Sequence, residues 1–282
     1  MKPIRIIPKI DVKGPNLVKG IHLEGLRVLG DPEEFANYYY LNGADELIYQ
    51  DVVASLYGRN NLVEIVRRTS KNIFIPLTVG GGIRNLVDIK TILRAGADKV
   101  SINTQAIKSP DFIDKAVKEF GSSTIVIAIE SIKHSNNEYF AYTDNGREIS
   151  NKNVLDWAKE VEDRGAGEII ITSIDKDGTG DGYELDLTKK IFNAVNIPVV
   201  VHGGVSKFEH YIDVLNNYNI SGLVSSSALH YSALINNKFI NKNYNEGNKE
   251  FLNINNSYKN FNTHEIIDIK KYLKDKNFYI RL

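Results

Sequence analysis

Val79-Gly-Gly-Gly82 closes a short apolar run, and the same device returns as Val201-His-Gly-Gly204, 122 residues later (204 − 82). Upstream, Asn42-Gly-Ala-Asp-Glu46 leads into Leu47-Ile-Tyr49. It returns as Arg164-Gly-Ala-Gly-Glu168 leading into Ile169-Ile-Ile171, again 122 apart (168 − 46). An acidic strand end also recurs, Ile10-Asp11 against Ile129-Glu130, 119 apart (130 − 11). Self-similarity at a fixed spacing constrains architecture before any local pattern does. Units this long are not solenoid repeats, so the chain reads as one domain of two fused halves, about 1–121 and 122–282.

Outward from the glycine clusters, β-branched runs alternate with amphipathic segments. Strands are expected over 4–12, 46–52, 73–79, 99–103, 125–130, 168–174, 199–202 and 222–227. Their near-continuous apolar character suits parallel strands buried on both faces. Asp31-Pro32 and Ser109-Pro110 each read as an N-cap followed by proline at the first helical position. Leu86, Ile89, Ile92 and Leu93 mark one helical stripe, and Val154, Trp157, Ala158 and Val161 another. Eight strand–helix pairs predict a closed (β/α)8 barrel of the TIM type. No GxGxxG opens a helix after the first strand, which argues against an open dinucleotide-binding sheet.

Two stretches depart from a minimal barrel. Tyr139-Phe-Ala-Tyr-Thr143 runs into Asp144-Asn-Gly146, a hairpin signal on the loop after the fifth strand. Residues 236–262 contain 11 asparagines in 27 positions, a composition that favours turns and disorder over packing. That insertion reads as a solvated loop or as a lid over one anion site. A final helix is expected over 264–274.

The chain has 282 residues, 42% of them apolar, with no net charge and no cysteine. Such a chain can bury a large core. It carries no electrostatic footprint for nucleic acid or an anionic membrane surface. The absence of cysteine excludes disulfides and thiolate metal sites. No run approaches a membrane span and no signal-peptide pattern opens the chain, so a cytoplasmic location is expected. Six histidines show neither HxH nor HExxH spacing, so a metal site is not expected.

In such a barrel the C-terminal strand ends converge on one mouth. Those positions hold Asp11, Lys19, Asp51, Thr78, Gly80, Gly81, Gly82, Asn103, Thr104, Glu130, Thr172, Asp177, Gly178, Thr179, Gly203, Gly204, Ser226 and Ser227. Asp11 and Glu130 belong to the first and fifth strands, which face each other in an eight-stranded ring. Opposed carboxyls suit a general acid and a general base. Gly80–Gly82 followed by Asn103-Thr104 reads as a phosphate cradle built from free backbone N–H groups and a helix N-terminus. Gly203-Gly204 followed by Ser226-Ser227 repeats it. Two cradles on opposite sides imply a substrate with a phosphate at each end, and Lys19 is the candidate cation beside them.

These residues resemble the cyclase subunit of imidazole glycerol phosphate synthase, the HisF family. The likeness runs over nearly the whole chain. It is carried by Asp11-Val-Lys-Gly14 with Leu17-Val-Lys-Gly20, Gly30-Asp-Pro32, Thr78-Val-Gly-Gly-Gly-Ile83, Gly96-Ala-Asp-Lys-Val-Ser-Ile-Asn-Thr104 and Thr172-Ser-Ile-Asp-Lys-Asp-Gly-Thr179. It implies a metal- and cofactor-free lyase of histidine biosynthesis acting on a bisphosphorylated formimino-aminoimidazole carboxamide ribonucleotide. It also implies a glutaminase partner, HisH-like, docked on the N-terminal barrel face and delivering ammonia. Asp11 would be one catalytic acid/base. Gly82, Asn103 and Thr104 would hold one phosphate, and Asp177, Gly178, Gly204 and Ser227 the other. Arg5, Glu46, Lys99 and Glu168 match the charged ring that gates ammonia entry in the family.

Three positions depart from the family. Glu130 stands where the family has aspartate, moving the carboxyl by roughly 1 Å, a displacement that can cost about 10²-fold in rate. Lys9 replaces a small residue, and a lysine pointing into the barrel would lower the Asp11 pKa. The loop after Asp11 reads Lys13-Gly-Pro-Asn16 rather than Asp-Gly. An alternative follows, an ammonia-conducting subunit serving amidine formation on nucleotide-linked sugars of surface polysaccharides. A third reading is the related phosphoribosyl isomerase of the histidine pathway, which needs no ammonia. The charged ring and residues 172–179 argue against it.

Overall fold

The computed structural model describes residues 3–54, 62–216, 218, 220–236, 261–262 and 264–282. Twelve strands follow in order. They are β1 (Arg5–Lys13), β2 (Asn16–Ile21), β3 (Glu24–Gly30), β4 (Leu47–Asp51), β5 (Leu77–Gly80) and β6 (Lys99–Ile102). The second set is β7 (Ile125–Lys133), β8 (Tyr139–Thr143), β9 (Glu148–Asn153), β10 (Glu168–Ser173), β11 (Val199–His202) and β12 (Gly222–Ser225). Parallel pairing runs β1-β4-β5-β6-β7-β10-β11-β12 and closes through β12 on β1. This is an eight-stranded (β/α)8 barrel, with β1 and β7 on opposite sides of the ring.

Strand periodicity of two sets the barrel's inner and outer faces. On β1, Ile6 and Ile10 join the large core between sheet and helices. Ile7 instead joins a small interior cluster with Ile48, Val126, Ile170, Val200 and Val224. Arg5, Lys9 and Asp11 share the inward face with Ile7. The lumen is therefore layered: charges at the N-terminal floor, an apolar plug at mid-height, and polar groups at the mouth.

Helices lie between the strands, and local chemistry explains their ends. Asp31 caps the helix Pro32–Leu41, its carboxylate accepting from the N–H groups of Glu33 and Glu34, with Pro32 in the first turn. Asn85 and Asp88 form a reciprocal capping box on Leu86–Ala95, which ends at Gly96 in the left-handed region, φ 115°. Val154, Trp157, Ala158 and Val161 are all buried along Val154–Asp163. The last helix is Ile266–Asp275.

Several expectations are corrected. The helix after Ser109-Pro110 spans Asp111–Phe120 without a side-chain cap, because the Ser109 hydroxyl donates to Asp111 Oδ1. The third barrel strand begins at Leu77, not at residue 73. The expected hairpin after β7 is present as β8 and β9, but a second hairpin, β2–β3, follows β1. Of the asparagine-rich stretch 236–262, all but Asn236, Phe261 and Asn262 lie outside the described residues, and so does the lid reading.

Candidate active site

Asp11 and Glu130 enter the mouth from β1 and β7, and both are buried. Lys9 and Lys19 surround Asp11. Lys9 Nζ is ion-paired with Asp11 Oδ1. Lys19 Nζ lies 3.6 Å from Asp11 Oδ2 and donates to Asp177 Oδ2 at 2.6 Å. Burial opposes a charge on Asp11, but Lys9 and Lys19 outweigh it and hold the carboxyl below its usual range. Glu130 differs. Burial pushes its carboxyl up to about 7, against the pull of Lys9 and a hydrogen bond from the Gly146 backbone. Its Oε2 is buried and accepts no hydrogen bond among the described residues.

Glu130 also lines a cavity of about 130 Å³ whose wall includes Asp51, Gly81, Gly82, Asn103 and Thr104. The first cradle and one catalytic candidate are thus a single site. Gly81 and Gly82 have φ of 101° and 71°, and a Cβ on Gly81 would stand 2.4 Å from the Asp51 carbonyl oxygen. Only glycine fits there. Thr104 opens the helix Thr104–Lys108, and the buried Asn103 Oδ1 has no hydrogen-bond partner among the described residues. The hydroxyl of Thr104 accepts from Asp144 N–H at 3.1 Å, tying the β8–β9 turn to this side of the mouth.

The second cradle groups Asp177, Gly178, Gly203, Gly204, Ser226 and Ser227, with Phe261 over it. Gly203 and Gly204 have φ of 108° and 95°. Ser227 opens the helix Ser227–Asn236, its hydroxyl oxygen buried and unpaired among the described residues. Thr172, expected in this cradle, is not in its wall and adjoins it through His202. Its hydroxyl lies 3.2 Å from Nδ1 of His202, whose Nε2 lies 3.2 Å from Ser226 Oγ and 3.6 Å from Asp177 Oδ1. Burial, reinforced by Lys9 and Lys19, drives the His202 pKa well below the usual imidazole range, so the ring is neutral. His202 is not among the mouth positions expected from sequence, although it stands inside Val201-His-Gly-Gly204. Its one available signal was a polar residue at an inward strand end.

At the opposite end Arg5, Glu46, Lys99 and Glu168 close a ring. Arg5 Nη1 pairs with Glu46 at 2.6 Å, and Arg5 Nη2 pairs with Glu168. Lys99 Nζ reaches Glu46 at 3.0 Å and Glu168 at 2.9 Å. Burial works against charge on Glu168, yet Arg5 and Lys99 hold its carboxyl below the usual range. Thr78, expected at the mouth, belongs here: its hydroxyl donates to Glu46 Oε1 at 2.6 Å. Because β5 starts late, Thr78 is its second residue and lies at the floor.

Among the described residues no helix is long and apolar enough to cross a membrane, and no group of three or more His, Asp or Glu could hold a metal ion. A sequence profile described as "Histidine biosynthesis protein" matches residues 5–234. A protein of Legionella pneumophila named "Imidazole glycerol phosphate synthase subunit HisF" is 54% identical over 211 residues, covering 75% of this chain and 100% of that protein. The chain belongs to the HisF family. A second protein of that name, from Clostridium botulinum (strain Okra / Type B1), is 38% identical over 279 residues, or 99% of this chain and 98% of that protein. The HisF likeness thus spans both cradles, both carboxyls and the charged floor. In this HisF-family chain, Lys9 is buried on the inward face of β1 and its charge pulls the Glu130 carboxyl down.

Proposed function

We propose that this chain is the cyclase subunit of an imidazole glycerol phosphate synthase. It would take ammonia and a bisphosphorylated formimino-aminoimidazole carboxamide ribonucleotide, and release imidazole glycerol phosphate and the aminoimidazole carboxamide ribotide. The observation that carries this reading is the placement of Glu130 in the wall of the first cradle while Asp11 faces it beside the second. A substrate anchored by a phosphate at each end would lie across the two carboxyls. Asp11, held ionised by two lysines, suits proton abstraction. Glu130, with a carboxyl near neutrality, suits proton donation and recovery. Backbone N–H groups at the glycine turns and the helix N-termini at Thr104 and Ser227 would neutralise the phosphates.

Ammonia would enter at the floor through the ring of Arg5, Glu46, Lys99 and Glu168, supplied by a glutaminase docked on that face. Large apolar side chains are exposed there. Leu41 ends the helix before β4, Phe74 precedes β5, and Tyr279 accepts a hydrogen bond from the backbone just before β1. Exposed apolar side chains at the end of the barrel that holds the charged ring suit a protein partner. No observation favours the amidino-sugar role over this one, since both relatives carry the synthase name.

Complementation tests the reading. Co-expressed with its glutaminase, the chain is expected to restore growth without histidine to a strain lacking its own cyclase subunit. Failure of the soluble, folded pair to do so would contradict it.

A further inference from the structure

We propose that Lys9 is a positioning residue that clamps Asp11 Oδ1 from within the barrel, keeping Asp11 an oriented carboxylate and leaving Glu130 as the proton carrier. Asp11 meets two lysines, but they are not equivalent. Lys19 spends its short contact on Asp177 at 2.6 Å and stands 3.6 Å from Asp11. Lys9 alone is within hydrogen-bond reach of Asp11 among the described residues. It sits between the apolar layer of Ile7 and Asp11 on the same inward face of β1, and it is 7% exposed. The two carboxyls of the mouth are therefore unequal by construction. One has a cation locked to an oxygen, and the other has an oxygen with no hydrogen-bond partner among the described residues.

The surrounding charges do not erase this inequality. Asp11 is faced by Lys19 from β2, Asp177 from the loop after β10, Glu130 from β7, His202 from β11 and His230 from the helix Ser227–Asn236. Asp51 follows its neighbour on β4, in register with Val12. Both histidines are neutral, because burial is their largest influence. Asp177 is matched by Lys19. Lys9 is then the group whose removal changes the balance at Asp11. Its ammonium also pulls the Glu130 carboxyl down, so losing it shifts both carboxyls in the same direction.

The division into base and acid rests on the cyclase reading above, whereas the placement of charge does not, and the test separates them. Carboxyl-labelled full-length protein is titrated by ¹³C NMR as wild type, Lys9→Met and Lys9→Arg, with Asp11→Asn and Glu130→Gln used for assignment. Should Lys9→Met not fold, Lys9→Gln takes its place. The expected result is an Asp11 titration raised by about 1 to 3 pH units in Lys9→Met and restored in Lys9→Arg, with Glu130 also raised. An Asp11 titration identical in Lys9→Met and wild type would overturn the proposal, whatever the turnover. In the activity arm, the acid limb of the kcat/KM profile with ammonium and the bisphosphorylated nucleotide is expected to move up by the same amount. An unmoved limb beside a lowered kcat would show a purely structural role and also overturn it. Wild type without turnover, beside an intact NMR shift, would sink only the cyclase reading.

Discussion

Lys19 Nζ donates to Asp177 Oδ2 at 2.6 Å, joining the hairpin after β1 to the loop after β10. Both side chains are almost wholly buried, at 1% and 2% exposure. The contact ties Lys19, the neighbour of Asp11, to Asp177 in the wall of the second glycine cradle. Burial opposes the charge on Lys19, and Asp177 and Asp11 reverse that effect and raise its pKa.

Lys19→Met is therefore expected to leave Asp177 charged and unmatched inside the protein. Removing one partner of a buried pair typically costs about 3–5 kcal/mol. Denaturant unfolding is expected to show a loss of that size at neutral pH, and nucleotide binding is expected to weaken with it. A variant as stable as wild type would mean that Asp177 finds water on its own.

Glu130 makes stability depend on pH. A glutamate in the unfolded chain ionises near about 4.3, while Glu130 in the folded protein does so at about 7. The folded state holds this proton more tightly. Its contribution is fully present below about pH 4.3 and is lost as pH rises through about 7. Glu130→Gln is expected to gain on wild type over that window, by roughly 4 kcal/mol at most above pH 8, with no gain at pH 4. Chemical denaturation at a series of pH values reads this directly. A pH-independent difference would contradict the assignment.

Much of this was legible in the sequence, and the failures have physical causes. The eight barrel strands announce themselves because burial on both faces makes each an apolar run. The β8–β9 hairpin carries its turn in Asp144-Asn-Gly146. The β2–β3 hairpin has no such signal: its turn places His22 and Leu23 at φ of 53° and 62°, residues that seldom adopt the left-handed region. Thr78 lies lower than its sequence suggests because Ile73-Phe-Ile-Pro76 is apolar like a strand, yet β5 starts only at Leu77. In the charged ring, Arg5, Lys99 and Glu168 open their strands and Glu46 directly precedes its own, so chain position predicted their neighbourhood. The clamp of Lys9 on Asp11 was half visible, since their spacing of two puts them on one face.

Backbone conformation tests the first cradle. Gly81→Ala combines a φ of 101° with a Cβ 2.4 Å from the Asp51 carbonyl oxygen. Gly43→Ala shares a positive φ, 84°, but its Cβ meets nothing within 4 Å. The second is expected to cost about 1 kcal/mol of left-handed strain. The first is expected to cost visibly more and to weaken binding of the phosphorylated nucleotide at least tenfold. Equal losses in both would show that crowding at Asp51 is relieved by a backbone shift.

The most direct test of the mouth as a reaction centre is ammonium-dependent turnover of the bisphosphorylated nucleotide, compared between wild type and Asp11→Asn. The substitution keeps the size of the side chain and removes the base. The expected result is conversion by wild type and a loss of about 10²- to 10⁴-fold in kcat for Asp11→Asn, with the fold intact. Equal turnover by the two proteins, or none by wild type at saturating ammonium, would contradict it.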